Sequence, residues 1–183
     1  MDAIAAIHGR RSIRDYQTTA VDRALIETVI IDAAQAPATP LSGAQPWVFT
    51  VIAGAARIAE HGRRALQYAR DHRPAGPGYR WAENPDFSVF FNAPAVIVIS
   101  GRTDNSQAAF ECCRAGQTLM IAAHARGLGT CWVGSPLLWL NDAEVKTELA
   151  IPPDHTPYAA FTLGHPNTTP PASRREPPMI MWV

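Results

Sequence analysis

Residues 106–134, SQAAFECCRAGQTLMIAAHARGLGTCWVG, decide the fold. From Ser106 to Arg126 most positions are Ala, Cys, Gly, Leu, Met or Ile, and charges are few. Such a stretch predicts a helix buried nearly all round, which makes it the centre of the fold. Gly127 and Gly129 close that helix, and Thr130–Gly134 follows as a short strand-like return. The glycine pair is not a dinucleotide fingerprint, because that motif opens a helix and this one ends it.

Elements of both periods flank this centre. Asp2 can cap a short helix carrying Ile4 and Ile7 on one face, with Gly9 as its stop. Asp22 caps a second, over about residues 22–36, with Val21 and Ile26 at the positions of a hydrophobic staple. Trp47–Ile52 is dense in aromatic and β-branched residues and predicts a strand. Beyond Gly54 an amphipathic helix runs to about 72, and Ala95–Ile99 is a continuous apolar run, a strand covered on both faces. Asn141, with Glu144 three residues on, predicts a capped helix to about 149, and Tyr158–Leu163 predicts a last strand. Between these lie an irregular aromatic excursion, 74–92, and a proline-rich, extended tail, 166–183. No repeat or internal boundary divides the 183 residues, so they read as one domain.

Composition narrows the function. Sixteen Lys+Arg balance sixteen Asp+Glu, leaving no basic field to hold nucleic acid or acidic lipid. With 47% hydrophobic and 17% charged residues, the chain carries fewer charges than the roughly 25% of an ordinary domain. That deficit points to a large buried surface, such as an oligomer interface. Cys112, Cys113 and Cys131 show no metal-ligand spacing and read as small buried hydrophobes in a reducing compartment. With no secretory leader pattern and no run of the ~20 apolar residues that span a bilayer, a cytoplasmic location is the simplest expectation. The six histidines form no close ligand pair, so no metal is expected, and no serine or cysteine sits in a nucleophile motif.

Besides Gly127–Gly134, three stretches carry the remaining chemistry. Arg10, Arg11 and Arg14 place three guanidinium groups within five residues, with the Ser12 hydroxyl among them. Forks and a hydroxyl suit a phosphate, although a solvated arginine patch has the same composition. In an extended segment Arg10, Ser12 and Arg14 share one face. The loop Thr39–Trp47 is rich in small residues and delivers the Gln45 amide and an indole at the mouth of a strand; an ordinary turn would read the same way. Arg174 and Arg175 form a second guanidinium pair in the tail, where bland charges are equally expected.

Taken together and in order, these stretches resemble the FMN-dependent nitroreductase superfamily. The resemblance rests on Arg10–Arg14, Gln45–Trp47, the helix from Glu111 through Met120 into Gly127–Gly134, Leu163–Pro166, and Arg174–Arg175, and it covers essentially the whole chain. It implies an α+β, three-layer fold with a mixed central sheet flanked by helices. It also implies a homodimer whose domain-swapped C-terminal arm (166–183) wraps the partner and whose interface holds two FMN molecules. Arg10, Arg11, Ser12, Arg14 and Arg174 or Arg175 would hold the phosphate. Ser42, Gly43 and Gln45, contributed by the partner chain, would contact the flavin, and backbone at Val133, Gly134 and Ser135 would face its ring. The family's asparagines are replaced here by Gly43 and Thr118, and Ser42 can partly stand in for the first.

The implied activity is a ping-pong reduction of nitroaromatic or other electron-poor small molecules with NADH or NADPH, the flavin carrying the chemistry. Residues 74–92 would flank the access channel, with Tyr79, Trp81 and Phe87 stacking on substrate. Enone reduction, dehydrogenation or oxygen-dependent flavin chemistry on the same scaffold, a non-catalytic flavin-binding dimer, and a flavin-free binder of another phosphate are the alternatives.

Overall fold

The structure, a computed structural model, describes residues 2–40, 43, 45–73 and 76–183. The first two helix starts follow from local capping. Asp2 accepts a hydrogen bond from the Ala5 amide at 2.9 Å and opens α1 (Ala3–Gly9). Asp22 accepts from the Ala24 amide at 2.9 Å and opens α2 (Arg23–Ala33), with Val21 and Ile26 buried in one cluster as a staple requires. β1 (Val48–Ala53) leads into α3 (Ala55–His72). After the 3₁₀ segment Pro77–Glu83 come β2 (Ala95–Arg102), α4 (Ala108–Ala125) and β3 (Gly129–Trp132). α5 (Leu137–Leu140), α6 (Ala143–Glu148) and β4 (His155–Gly164) complete the elements, and the tail beyond is extended and exposed.

The four strands form a sheet in the order β1-β2-β4-β3, in which Ile97 of β2 stands between Val51 of β1 and Phe161 of β4. All three ladders are antiparallel. Parallel pairing among the described residues is confined to the isolated bridge between Ser12 and Thr130, so the expected mixture of strand directions is narrow.

β2 is buried from Ala95 to Gly101, as its unbroken apolar run requires. Its side chains alternate between two cores: Ala95, Ile97 and Ile99 pack with α2 and α4, while Val96 and Val98 pack with α3, α5 and α6. Each fully buried Val or Ile contributes about 1.5–3 kcal/mol, which makes this strand the spine of a three-layer molecule. On the first face α4 approaches so closely that a Cβ on Gly116 would lie 2.3 Å from Phe161 Cζ.

Two local expectations are corrected. α4 is buried on the sides that meet the sheet, α1 and α2, yet Phe110, Arg114 and Gln117 form an exposed row, with Phe110 60% accessible. The cap of α6 is Asp142, which accepts from the Glu144 and Val145 amides at 3.0 and 3.3 Å. Asn141 instead ends the unforeseen helix α5 and donates to Leu137 O and Pro157 O at 2.9 and 3.0 Å. The cysteines pack as small hydrophobes: Cys112 and Cys131 are buried and Cys113 half-buried, and burial raises every thiol pKa, that of Cys112 to about 12. Among the described residues, no helix is long and apolar enough to cross a membrane.

α6 ends in a Schellman arrangement, with Ile151 N donating to Lys146 O at 2.8 Å and Ala150 N to Thr147 O at 3.2 Å. Ala150 occupies the left-handed position at φ 53°, where a Cβ is unfavourable. Ala150→Gly is therefore expected to stabilise the protein by about 0.5–1 kcal/mol in urea unfolding, the relief exceeding the entropy cost of glycine.

On the opposite side His61 is 4% exposed, lies 5.4 Å from the Trp139 ring centroid and leaves Nδ1 without a partner. Burial lowers its pKa below the ordinary value; Glu148 opposes this, and Arg64 and Arg57 reinforce it. The unfolded chain thus binds the proton first, so the stability from neutral His61 is complete above about pH 6.5 and falls as pH drops below it. Urea unfolding at pH 7.5 and 5.5 is expected to show a smaller acid loss for His61→Phe, the difference being about 1 kcal/mol or less.

Candidate anion site at the chain ends

The arginine-rich segment after α1 is extended, and three contacts set its register. Ile13 N donates to Thr130 O at 2.9 Å, Ser12 forms the parallel bridge with Thr130, and Tyr16 Oη donates to Ile13 O at 2.6 Å. The same phenol lies 2.7 Å from Thr162 Oγ1, buried against β4, and burial raises its pKa far above the usual range. Gly129 permits this docking, since a Cβ there would come within 2.6 Å of Ile13. With Ile13 turned inward and 4% exposed, its neighbours are left facing outward.

They face a cavity of about 570 Å³, whose lining includes Arg10, Arg11, Ser12 and Arg14 from one chain end and Ser173 and Arg175 from the other. Among the described residues, no carboxylate lines it. Four guanidinium groups and two hydroxyls without an acidic partner form a donor set that fits a phosphate, which accepts several charge-assisted hydrogen bonds at once.

The arginines are not equivalent. Arg11 Nη1 is spent on the end of α1, donating to His8 O, Gly9 O and Arg10 O at 2.7, 3.0 and 2.8 Å. These carbonyls lack helical partners, so Arg11 acts first as a C-terminal cap. Arg174 lies outside the cavity lining, 88% exposed along its side chain and paired with Glu176 at 3.1 Å. Arg175 is the tail arginine that reaches the cavity. Arg10 and Arg14 have no carboxylate partner among the described residues, and the Arg14 guanidinium carbon lies 5.7 Å from the Phe91 ring centroid.

The other candidates lie elsewhere in the single chain. Gly43 and Gln45, both exposed, line a separate cavity of about 400 Å³ beside Trp47 and Phe49. Ser42 lies outside the described residues. Val133 N donates to Ala160 O at 2.9 Å, and Gly134 and Ser135 follow on the same edge of the sheet but outside the arginine cavity. In the aromatic excursion Tyr79, Trp81, Phe87 and Phe91 form successive ring contacts, with centroids 6.4, 5.2 and 6.2 Å apart. Trp81 and Phe87 are half-buried against the core below.

Three residues that hold neighbouring segments in place carry no local sequence signal of that role: Tyr16, Phe91 and Glu111. Glu111, fully buried on α4, accepts from Thr39 N and Thr39 Oγ1 at 2.7 and 2.9 Å and from Asn105 Nδ2 at 3.1 Å. It ties the beginning of the Thr39–Trp47 loop to the central helix.

An α+β protein with an arginine-lined cavity assembled from both chain ends is the class that fold and site define. The model of the nitroreductase family matches residues 7–165, and the chain belongs to that family. It is 28% identical over 176 residues to a Methanothermobacter thermautotrophicus protein whose name pairs NADH dehydrogenase with NAD(P)H nitroreductase, covering 93% of this chain and 80% of that one. A 4-nitrobenzoate reductase from Nocardioides sp. is 27% identical over 217 aligned positions, covering 94% and 85%. The nitroreductase of Bacteroides fragilis, solved with FMN bound, superposes with a TM-score of 0.87 at 20% identity, covering 100% and 99%.

Glu111 is the shared acceptor of three hydrogen bonds from the half-buried Thr39 and Asn105. Glu111→Ala is expected to lower the unfolding free energy in urea by about 3 kcal/mol, the loss of three hydrogen bonds at about 1 kcal/mol each.

Proposed function

We propose that this protein is an FMN-dependent oxidoreductase that uses NADH or NADPH to reduce nitroaromatic or other electron-poor small molecules. One observation carries the reading: Arg10, Arg14 and Arg175, from opposite chain ends, converge with Ser12 on a cavity that, among the described residues, no carboxylate lines. The names of the relatives and the FMN in the Bacteroides structure agree with it. In this reading Arg10, Ser12, Arg14 and Arg175 hold the FMN phosphate, and Arg11 shapes their segment as a cap. Bound FMN supplies hydride and electron transfer. The chain binds and orients it and needs no side-chain nucleophile, consistent with thiols that burial keeps protonated.

The working unit is a homodimer. Gly43 and Gln45 lie away from the arginine cavity of their own chain, which suits a loop that serves the partner's cofactor. Exposed apolar residues supply the seam: Ile4, Ile7, Phe110 and the end of the tail, where Trp182 is 91% accessible. The tail 166–183 is the arm that wraps the partner. Backbone from Val133 to Ser135 faces the flavin ring, while Tyr79, Trp81 and Phe87 flank the opening that donor and oxidant use in turn, a ping-pong cycle. A cytoplasmic location accords with this chemistry.

A second reading, a flavin-binding dimer without turnover, is favoured by Trp81 and Phe87, which are packed against the core rather than held free to stack on a substrate. Anaerobic addition of NADH or NADPH to the FMN-loaded protein separates the two: rapid bleaching, reversed by 4-nitrobenzoate or a quinone, supports the enzyme, and persistent yellow colour supports the binder. A protein that takes up no FMN and sediments as a monomer overturns both. Arg175→Ala is expected to raise the Kd for FMN by about 10- to 100-fold, the loss of one or more charge-assisted hydrogen bonds, while Arg174→Ala stays within about twofold.

A further inference from the structure

We propose that Phe91 is a positioning residue for Arg14: its ring holds the guanidinium at the mouth of the anion cavity and ties that cavity to the aromatic excursion. The proposal rests on the FMN reading above and adds to it a residue that never touches the cofactor phosphate.

Arg14 is exposed and, among the described residues, has no carboxylate partner; the Phe91 ring, 5.7 Å from its guanidinium carbon, is the aromatic face against it. A long cationic side chain at such a site wanders among rotamers unless something restrains it, and a ring face restrains it without neutralising its charge. A carboxylate in the same place would compete with an incoming phosphate, whereas the ring leaves the guanidinium edge free to donate.

The backbone is bent to put the ring there. Phe91 and Asn92 are consecutive left-handed residues, at φ 52° and 53°, a conformation that side chains with a Cβ disfavour. The bend is held by Phe91 N donating to Ser88 O at 3.3 Å and Ala93 N donating to Phe90 O at 3.0 Å. Beneath it Phe91 packs against Ile13, Tyr16 and Ala93, the cluster that anchors the arginine segment itself. From the other side Phe87 meets the ring edge-on at a centroid distance of 6.2 Å. Phe91 therefore joins the Tyr79–Trp81–Phe87 series to Arg14 in one run of contacts.

A double-mutant cycle tests the assignment, with FMN affinity read by quenching of FMN fluorescence on titration with apoprotein. F91L, which keeps the bulk and loses the π face, is expected to raise the Kd about two- to fivefold, the size of an exposed cation–π contact. F91Y, which keeps the ring, is expected to restore affinity, and in an R14M background F91L is expected to change the Kd no further. F91M replaces F91L should that variant fail to fold. Unchanged affinity in F91L, or an equal loss with and without Arg14, overturns the inference and leaves the FMN reading standing. No uptake of FMN by the wild-type protein overturns the reading and the inference together.

Discussion

The docking of residues 12–16 against β3 and β4 is the constraint on which the rest of the site depends. Ile13 enters the space left by Gly129, Ser12 pairs with Thr130, and Tyr16 Oη is shared between Ile13 O and Thr162 Oγ1. These contacts join residues more than a hundred positions apart, and they turn a flexible basic segment into one with a defined inner and outer side. Once Ile13 is buried, Ser12 and Arg14 face outward, and Arg10 follows from the end of α1. The same region receives the tail: Gln17 N donates to His165 O at 2.9 Å, and Asn167 N to Asp15 O at 3.0 Å. That crossing directs residues 170–175 over the arginines.

Guanidinium groups in this molecule divide between holding the chain and lining the cavity. Arg11 closes α1, Arg64 pairs with Glu148 at 2.7 Å, and Arg174 pairs with Glu176. Arg10, Arg14 and Arg175 are left for the cavity. Their mutual repulsion is tolerable because the cavity is open to water, and it is relieved when an anion arrives. α4 supports the arrangement from beneath. It packs on the sheet through Gly116, anchors the Thr39 loop through Glu111, and presents an apolar row outward through Phe110.

Much of the fold was legible from residue order. The starts of α1 and α2 followed from Asp2 and Asp22, the extent of α3 from its period after Gly54, and the burial of β2 from its unbroken apolar run, because capping and amphipathic period are local properties. The cap of α6 was misplaced by one residue because Asn141 and Asp142 are both capable caps, and only the preceding turn of α5 decides between them. The exposed row of α4 was legible only in part: Arg114 and Gln117 mark a polar stripe, whereas the apolar Phe110 at its head reads as a core residue.

Residue types and their spacing determined that both chain ends carry clustered guanidinium groups, that no side-chain nucleophile or metal motif accompanies them, and that a helix-rich α+β domain presents them. Tertiary structure alone decided which arginines serve the cavity, that Arg11 is occupied by carbonyls, that Arg175 rather than Arg174 lines the cavity, and that Phe91 lies against Arg14. The division has a physical reason. Hydrogen-bond caps and hydrophobic period are settled within a few residues of chain, whereas the partner of a long charged side chain depends on distant segments that meet only after the sheet has formed.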